Sequence, residues 1–266
     1  MAVPVRRLVG VQTKMYLSHA QTQAYLDALT TTLSKTPPLA SQVDFFLLVD
    51  HISLAAVASQ WKASPHHGAL RLRIGAQDTS PEDHGAFTGQ VSAAVLAEVG
   101  CEIVMVGHAE RRRIFGEDDG LVARKAAAAA RNGMVPLVCV GEVTRPEAGG
   151  VEAAVAACRA QIETVVAAVP EEAEVVLAYE PVWAIGAEEP AAAEYVVAVA
   201  RGIKGLECVR ARRGLVRVVY GGSAGPGMFE GVKDGVDGLF MARFGLDVGV
   251  VGGLLGRWLL RDGCSR

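Results

Sequence analysis

The sequence predicts a closed (β/α)8 barrel, an α/β fold, as one domain spanning residues 1–266. Eight short runs rich in apolar and β-branched residues recur along the chain. Runs that are apolar throughout fit parallel strands covered on both faces. Alanine-rich, helix-compatible segments lie between them, and no long linker or low-complexity tract divides the chain. Eight such units in this length match a closed barrel. An open doubly wound sheet is the competing arrangement, and no convincing G-x-G-x-x-G follows the first run to support its dinucleotide-binding form.

Taken in order, RLVGV near residue 7 leads to a helical segment over 20–34, and VDFFLLV at 43 to one over 53–60. LRIGA at 72 precedes Ser80 and Pro81, which read as an N-cap and first helical position. EIVMVG at 102 precedes AERRR, a helix-like start, and a helix over 119–132. VPLVCVG at 135 precedes 151–168, and EVVLAYE at 174 precedes 190–212. VRVVYGG at 216 and VDGLFMA at 236 complete the eight.

Bulk properties narrow the partners. The chain is 51% hydrophobic with a formal charge of −3, without the basic face that nucleic acid demands. Its apolar runs are too short or too interrupted to span a bilayer. MAVPVRRLVGVQTK has two arginines but no apolar core, so no secretory signal is expected and the cytoplasm is the default. Five scattered cysteines without a CxxC pair read as reduced thiols, mostly buried. His66 and His67 have no ligand set at zinc spacing, so no metal is expected. Arg111, Arg112 and Arg113 read as surface or salt-bridging residues.

In this fold chemistry sits at the C-terminal ends of the strands. The polar residues there are Gln12 to Lys14, Asp50 and His51, Gln77 and Asp78, His108, Glu142, Glu180, Ser223 and Arg243. A carboxylate such as Glu180, ending an apolar run, can be desolvated and made more basic. His108 precedes a helix-like start, where the positive helix end keeps imidazole neutral and able to donate to a substrate oxygen. Lys14 aims a cation at the same mouth. Each alone has a bland reading: an ion-paired carboxylate, a structural histidine, a surface lysine. Together they suit proton abstraction beside a carbonyl with a stabilised enediolate. That chemistry needs no metal or organic cofactor. Gly221, Gly222 and Ser223 follow the seventh strand, where glycines let backbone N–H groups approach phosphate.

YEPVWAIG (179–186), GHAERR (107–112), GAFTG (85–89), CVGE (139–142), YGGS (220–223) and the early Lys14–Met15 together resemble the triosephosphate isomerase family, over nearly the whole chain and in order. The resemblance implies a TIM barrel in which Glu180 is the base, His108 the neutral electrophile and Lys14 the electrostatic partner. It places Glu110 beside the lysine and makes residues 181 to about 190 a lid whose Gly186 N–H meets phosphate. It makes Gln77 to Gly89, with Phe87 and Thr88 near the tip, a loop that docks into a second subunit, hence a homodimer.

The chain also departs from the family pattern. Gln12 stands for an asparagine, and Ala242 and Arg243 replace two consecutive glycines that bind phosphate. Ala109 replaces a serine, VDHIS ends the second strand, and GAEEPA replaces a glycine-containing lid end. Pro190 and its acidic neighbours are expected to start the next helix early. The default reaction is aldose–ketose isomerisation of D-glyceraldehyde 3-phosphate and dihydroxyacetone phosphate. The alternative, favoured by the departures, links L-erythrulose 1-phosphate to D-erythrulose 4-phosphate. A non-catalytic phosphosugar-binding barrel is the alternative of another class, and retention of a base argues against it.

Overall fold

A computed structural model describes residues 6–35, 42–147, 150–187, 189–222 and 227–254. Eight parallel strands close in sequence order into a barrel. They are β1 (Arg7–Gln12), β2 (Val43–Val49), β3 (Leu72–Ala76), β4 (Ile103–Val106), β5 (Val135–Val140), β6 (Val175–Tyr179), β7 (Val216–Tyr220) and β8 (Gly238–Met241). β8 returns to β1, with Leu8 opposite Gly238 and Val11 opposite Met241, so the sheet has no open edge.

The runs are apolar throughout because both faces are covered, and the two-residue period sorts them. Leu8, Phe46, Leu48, Met105, Val176 and Phe240 belong to the cluster inside the barrel. Val9, Val11, Leu47, Val138, Leu177 and Val218 join the layer packed on the helices. Each fully buried large apolar side chain contributes roughly 1.5–3 kcal/mol, so these two layers dominate the stabilisation. The interior leaves little slack at Gly10, where an added Cβ would lie 1.8 Å from Phe46 Cζ. Gly10→Ala therefore displaces a ring that packs 5.4 Å, centroid to centroid, from Phe240.

Local signals start most of the helices. α1 (His19–Ser34) opens with a capping box between Ser18 and Gln21. Asp50 caps α2 (His51–Ala63), accepting from the N–H groups of Ile52 and Ser53 at 2.9 and 3.0 Å. It is thus occupied as a cap rather than offered to the barrel mouth. The helix expected at Ser80 and Pro81 does not form. Ser80 Oγ instead accepts from Glu82 N–H at 3.2 Å, and its own N–H donates to the Val91 carbonyl at 2.7 Å. Serine satisfies such turns as readily as helix starts, and α3 (Ala93–Glu98) begins after Ser92.

α4 (Ala109–Phe115) follows His108, and α5 (Asp119–Arg131) follows its cap Asp118. α6 spans Val151–Ala168 as expected. The segment expected over 190–212 breaks at Leu206 into α7 (Ala193–Gly205) and α8 (Glu207–Arg210). Pro190 does not start it early, because residues 189–192 lie outside the helix. Among the described residues, no helix is long and apolar enough to cross a membrane. Cys101, Cys139 and Cys158 are buried free thiols and Cys208 is a half-buried one; Cys264 lies outside the described residues.

Candidate active site

Glu180, His108 and Lys14 meet at the C-terminal mouth of the barrel. Glu180 directly follows β6, and its N–H donates to the Val140 carbonyl at 2.9 Å. Its side chain is 3% exposed, and Oε2 has no hydrogen-bond partner. Two glycines make room for it: a Cβ on Gly221 would lie 2.6 Å from Glu180 Oε1, and one on Gly141 would lie 1.9 Å from the Glu180 carbonyl oxygen. Burial pushes the Glu180 carboxyl up to about 8; Lys14 pulls against this, while Glu110 adds to it.

His108 is the N-cap of α4, and its Nδ1 accepts from the Glu110 N–H at 3.1 Å. The proton of the neutral ring therefore sits on Nε2. Burial lowers the imidazole to about 4, Lys14 acts in the same direction, and Glu110 opposes them. The 3.8 Å approach of His108 Nε2 to Glu180 Oε2 is consequently not an ion pair at neutral pH. Gln12 Nε2 lies 3.5 Å from His108 Nε2. Two N–H donors at that distance suit a single acceptor oxygen placed between them. The longer side chain at this position thus still reaches the histidine.

Lys14 adopts φ 47°, a left-handed backbone uncommon for a residue with a side chain. The Gln77 amide holds that turn, donating to the Lys14 carbonyl and Thr13 Oγ1, each at 3.1 Å. Lys14 Nζ donates to Glu110 Oε1 at 2.7 Å. Burial opposes ionisation of Glu110, but the Lys14 hydrogen bond and the His108 and Lys14 charges outweigh it, leaving Glu110 below its usual range.

The foot of the predicted lid is tied down. Residues Val182–Ala184 form a 3-10 turn, and Val182 N–H donates to the Glu142 carbonyl at 3.0 Å. The Glu142 carboxylate accepts from Trp183 Nε1 and Tyr195 Oη, each at 2.8 Å, and from Tyr179 Oη at 3.2 Å. Burial, then the Glu142 charge, pushes the Tyr179 phenol far up. Gly186 is exposed with φ 74°, a conformation open to glycine. Gly221 and Gly222 follow β7 at the same mouth, whereas Ser223 lies outside the described residues. Ala242 is half-buried, and exposed Arg243 begins a 3-10 turn over Arg243–Leu246.

Other strand-end groups are turned to structural tasks. Asp78 accepts from Lys125 at 2.8 Å and lies 2.9 Å from Arg111, while its carbonyl is 2.8 Å from His51 Nε2. Arg112 binds Asp119 at 2.6 Å. The loop after β3 closes through the Ser80–Val91 bond and projects exposed Phe87 and Thr88.

With this geometry in view, comparison with known sequences is decisive. The sequence profile of triosephosphate isomerase matches residues 7–255. The chain belongs to the triosephosphate isomerase family. An L-erythrulose-1-phosphate isomerase of Pectobacterium atrosepticum is 41% identical over 244 residues, 90% of each chain. A triosephosphate isomerase of Deinococcus radiodurans is 36% identical over 257 residues, covering 94% of this chain and 98% of that one. One from an Azoarcus species is 46% identical, but over 58% of this chain and 64% of its own.

Within this family member, sequence reasoning passed over two neighbours of the site. Cys139, read as a buried thiol, lies beside the Glu180 carboxyl and lines the same cavity. Burial, then the Glu180 charge, pushes that thiol well up. Its inward position two residues before Gly141 was the available signal. Tyr195 meets Glu142 across 53 residues of chain, and no local pattern announces that contact.

Proposed function

We propose that the protein moves a proton between adjacent carbons of a small phosphorylated sugar, interconverting L-erythrulose 1-phosphate and D-erythrulose 4-phosphate. The meeting of an unpartnered buried carboxyl, a neutral imidazole and a lysine carries this reading. Ionised Glu180 takes the proton from the carbon that bears a hydroxyl beside the carbonyl. The C–H pair becomes the C=C bond, and the carbonyl π pair moves onto oxygen, where His108 Nε2–H and the Gln12 amide donate. Lys14 offsets the developing negative charge. Return of the carbon-bound proton to the former carbonyl carbon, with the neighbouring hydroxyl proton passed to the former carbonyl oxygen, gives the new carbonyl and the new hydroxyl. No electron leaves the substrate. In this reading the backbone of Gly186, Gly221 and Gly222, with Ser223 and Arg243, grips phosphate, Ala242 borders that grip, and Glu110 positions Lys14.

The 41% identity to the tetrulose-phosphate relative over 90% of both chains, against 36% to a near full-length triosephosphate isomerase, supports the four-carbon substrate. The triose reaction is the second reading, supported by a near full-length relative that bears that name. Exposed Met15, Tyr16 and Phe87, with Thr88 at the loop tip, support a homodimer. The free thiols support a reducing cytoplasm. The test is deuterium incorporation from heavy water at the reacting carbon of L-erythrulose 1-phosphate and of D-glyceraldehyde 3-phosphate. Exchange into the tetrulose at the higher kcat/KM is expected. Exchange into neither, with ligand binding intact, would leave a binding barrel instead of an enzyme.

A further inference from the structure

We infer that a cavity beside Glu180 receives the terminal hydroxymethyl group of the four-carbon substrate, and that Ala109 keeps it open. This rests on the isomerase reading above. The cavity holds about 300 Å³ and is lined by Glu180, Ala109, Cys139, Val143, Arg112 and Arg113, among others. A hydroxymethyl group needs about two water-sized shares of roughly 30 Å³ each, so it fits with room to spare.

The chemistry requires space at this place. The carbon that loses its proton must come within roughly 3–3.5 Å of a Glu180 oxygen. In a tetrulose phosphate that same carbon carries the hydroxymethyl group, where a triose carries hydrogen. The extra group therefore begins one bond from the atom that faces the base, and its room has to adjoin Glu180. Oε2 is buried and has no hydrogen-bond partner, and Glu180 is part of the cavity wall. Ala109 is the first residue of α4, next to His108, and contributes only a methyl to the wall. Arg112 is fixed by Nε to the Gly107 carbonyl at 2.8 Å and by a terminal nitrogen to Asp119 at 2.6 Å. With Arg113 it places guanidinium groups on a wall that is otherwise largely apolar, able to meet a terminal hydroxyl.

The experiment compares kcat/KM for L-erythrulose 1-phosphate with that for D-glyceraldehyde 3-phosphate in Ala109→Val and Val143→Phe, after thermal melts confirm folding. Both fill the cavity from different sides, and Val143 is 71% exposed, so its variant tolerates the change if Ala109→Val does not fold. The tetrulose-to-triose ratio is expected to fall about tenfold or more, the range expected when a pocket loses room for a carbon-sized group. An unchanged ratio in the folded variants overturns the inference. Wild-type protein that turned over only the triose phosphate would also overturn it, while leaving the isomerase reading standing. Protein inert on both substrates would instead defeat the isomerase reading itself.

Discussion

Glu174 and Glu180 flank the same strand, at opposite ends of the barrel, and meet opposite electrostatic conditions. At the floor, Glu174 accepts a bidentate pair from Arg73 at 3.0 and 2.9 Å and a further bond from Arg217. Arg217, 1% exposed, also binds Asp44 at 2.7 Å, and Arg6 reaches the same carboxylate at 2.7 Å. Burial opposes ionisation of Glu174, yet Arg73 and Arg217 outweigh it and hold the carboxyl below its usual range. At the mouth, burial wins. The nearby cation, Lys14, is engaged by Glu110, and the Glu180 carboxyl is raised to about 8. Burial alone does not decide whether an inward-facing acid is charged; the supply of partners does. The floor is closed with matched ions, whereas the mouth leaves a valence open for a ligand.

The largest expected effect breaks the mouth. Glu180→Gln should lower isomerase turnover roughly a thousandfold or more while phosphate-ligand binding persists, read by solvent exchange and titration with inorganic phosphate. Next comes the floor. Arg217→Met removes the buried cation shared by half-buried Asp44 and Glu174, each of which keeps another arginine, and should cost about 1.5–3 kcal/mol in urea unfolding. Isomerase activity measured on the remaining folded fraction should change far less.

The pH dependence sharpens the contrast, because the two ends should have opposite slopes. The folded pKa of Glu180 lies above its unfolded value near 4.5, so its contribution to stability is full below that pH and is lost as pH rises through about 8. Asp44 and Glu174 are lowered, so their contributions are present above the ordinary carboxylate range and are lost as pH falls through the lowered values. Thermal melts across pH should lose the decline between about pH 4.5 and 8 in Glu180→Gln and weaken the acid decline in Arg217→Met. Activity, which needs ionised Glu180, should rise toward pH 8. The smallest effect is expected from Gln77→Ala, which removes the two bonds holding the Lys14 turn. It should cost about 1–2 kcal/mol of stability and lower kcat more than it alters KM.

The contrast also explains what was readable in the sequence. Glu180 stood out because a charge ended an apolar run, and His108 because a glycine preceded it and a helix followed. Both signals are local and survive in a linear string. The barrel was legible for the same reason: each strand announced itself by its own composition. The floor was not. Arg217 finds Asp44 across 173 residues, so its partner is defined only after closure brings β7 and β2 to one end. The Glu142 hub was similarly hidden, since its three donors come from β6, the lid foot and α7. Ser80 misled for a different reason, because one hydroxyl serves a turn and a helix cap alike.

Gly221 gives the mouth a genetic fragility. It contributes neither charge nor proton, yet a single added methyl would occupy space within 2.6 Å of the Glu180 carboxylate. A one-codon change to alanine would evict the proposed base while leaving its identity untouched. Inactive descendants of this lineage could therefore arise with Glu180, His108 and Lys14 all still spelled correctly.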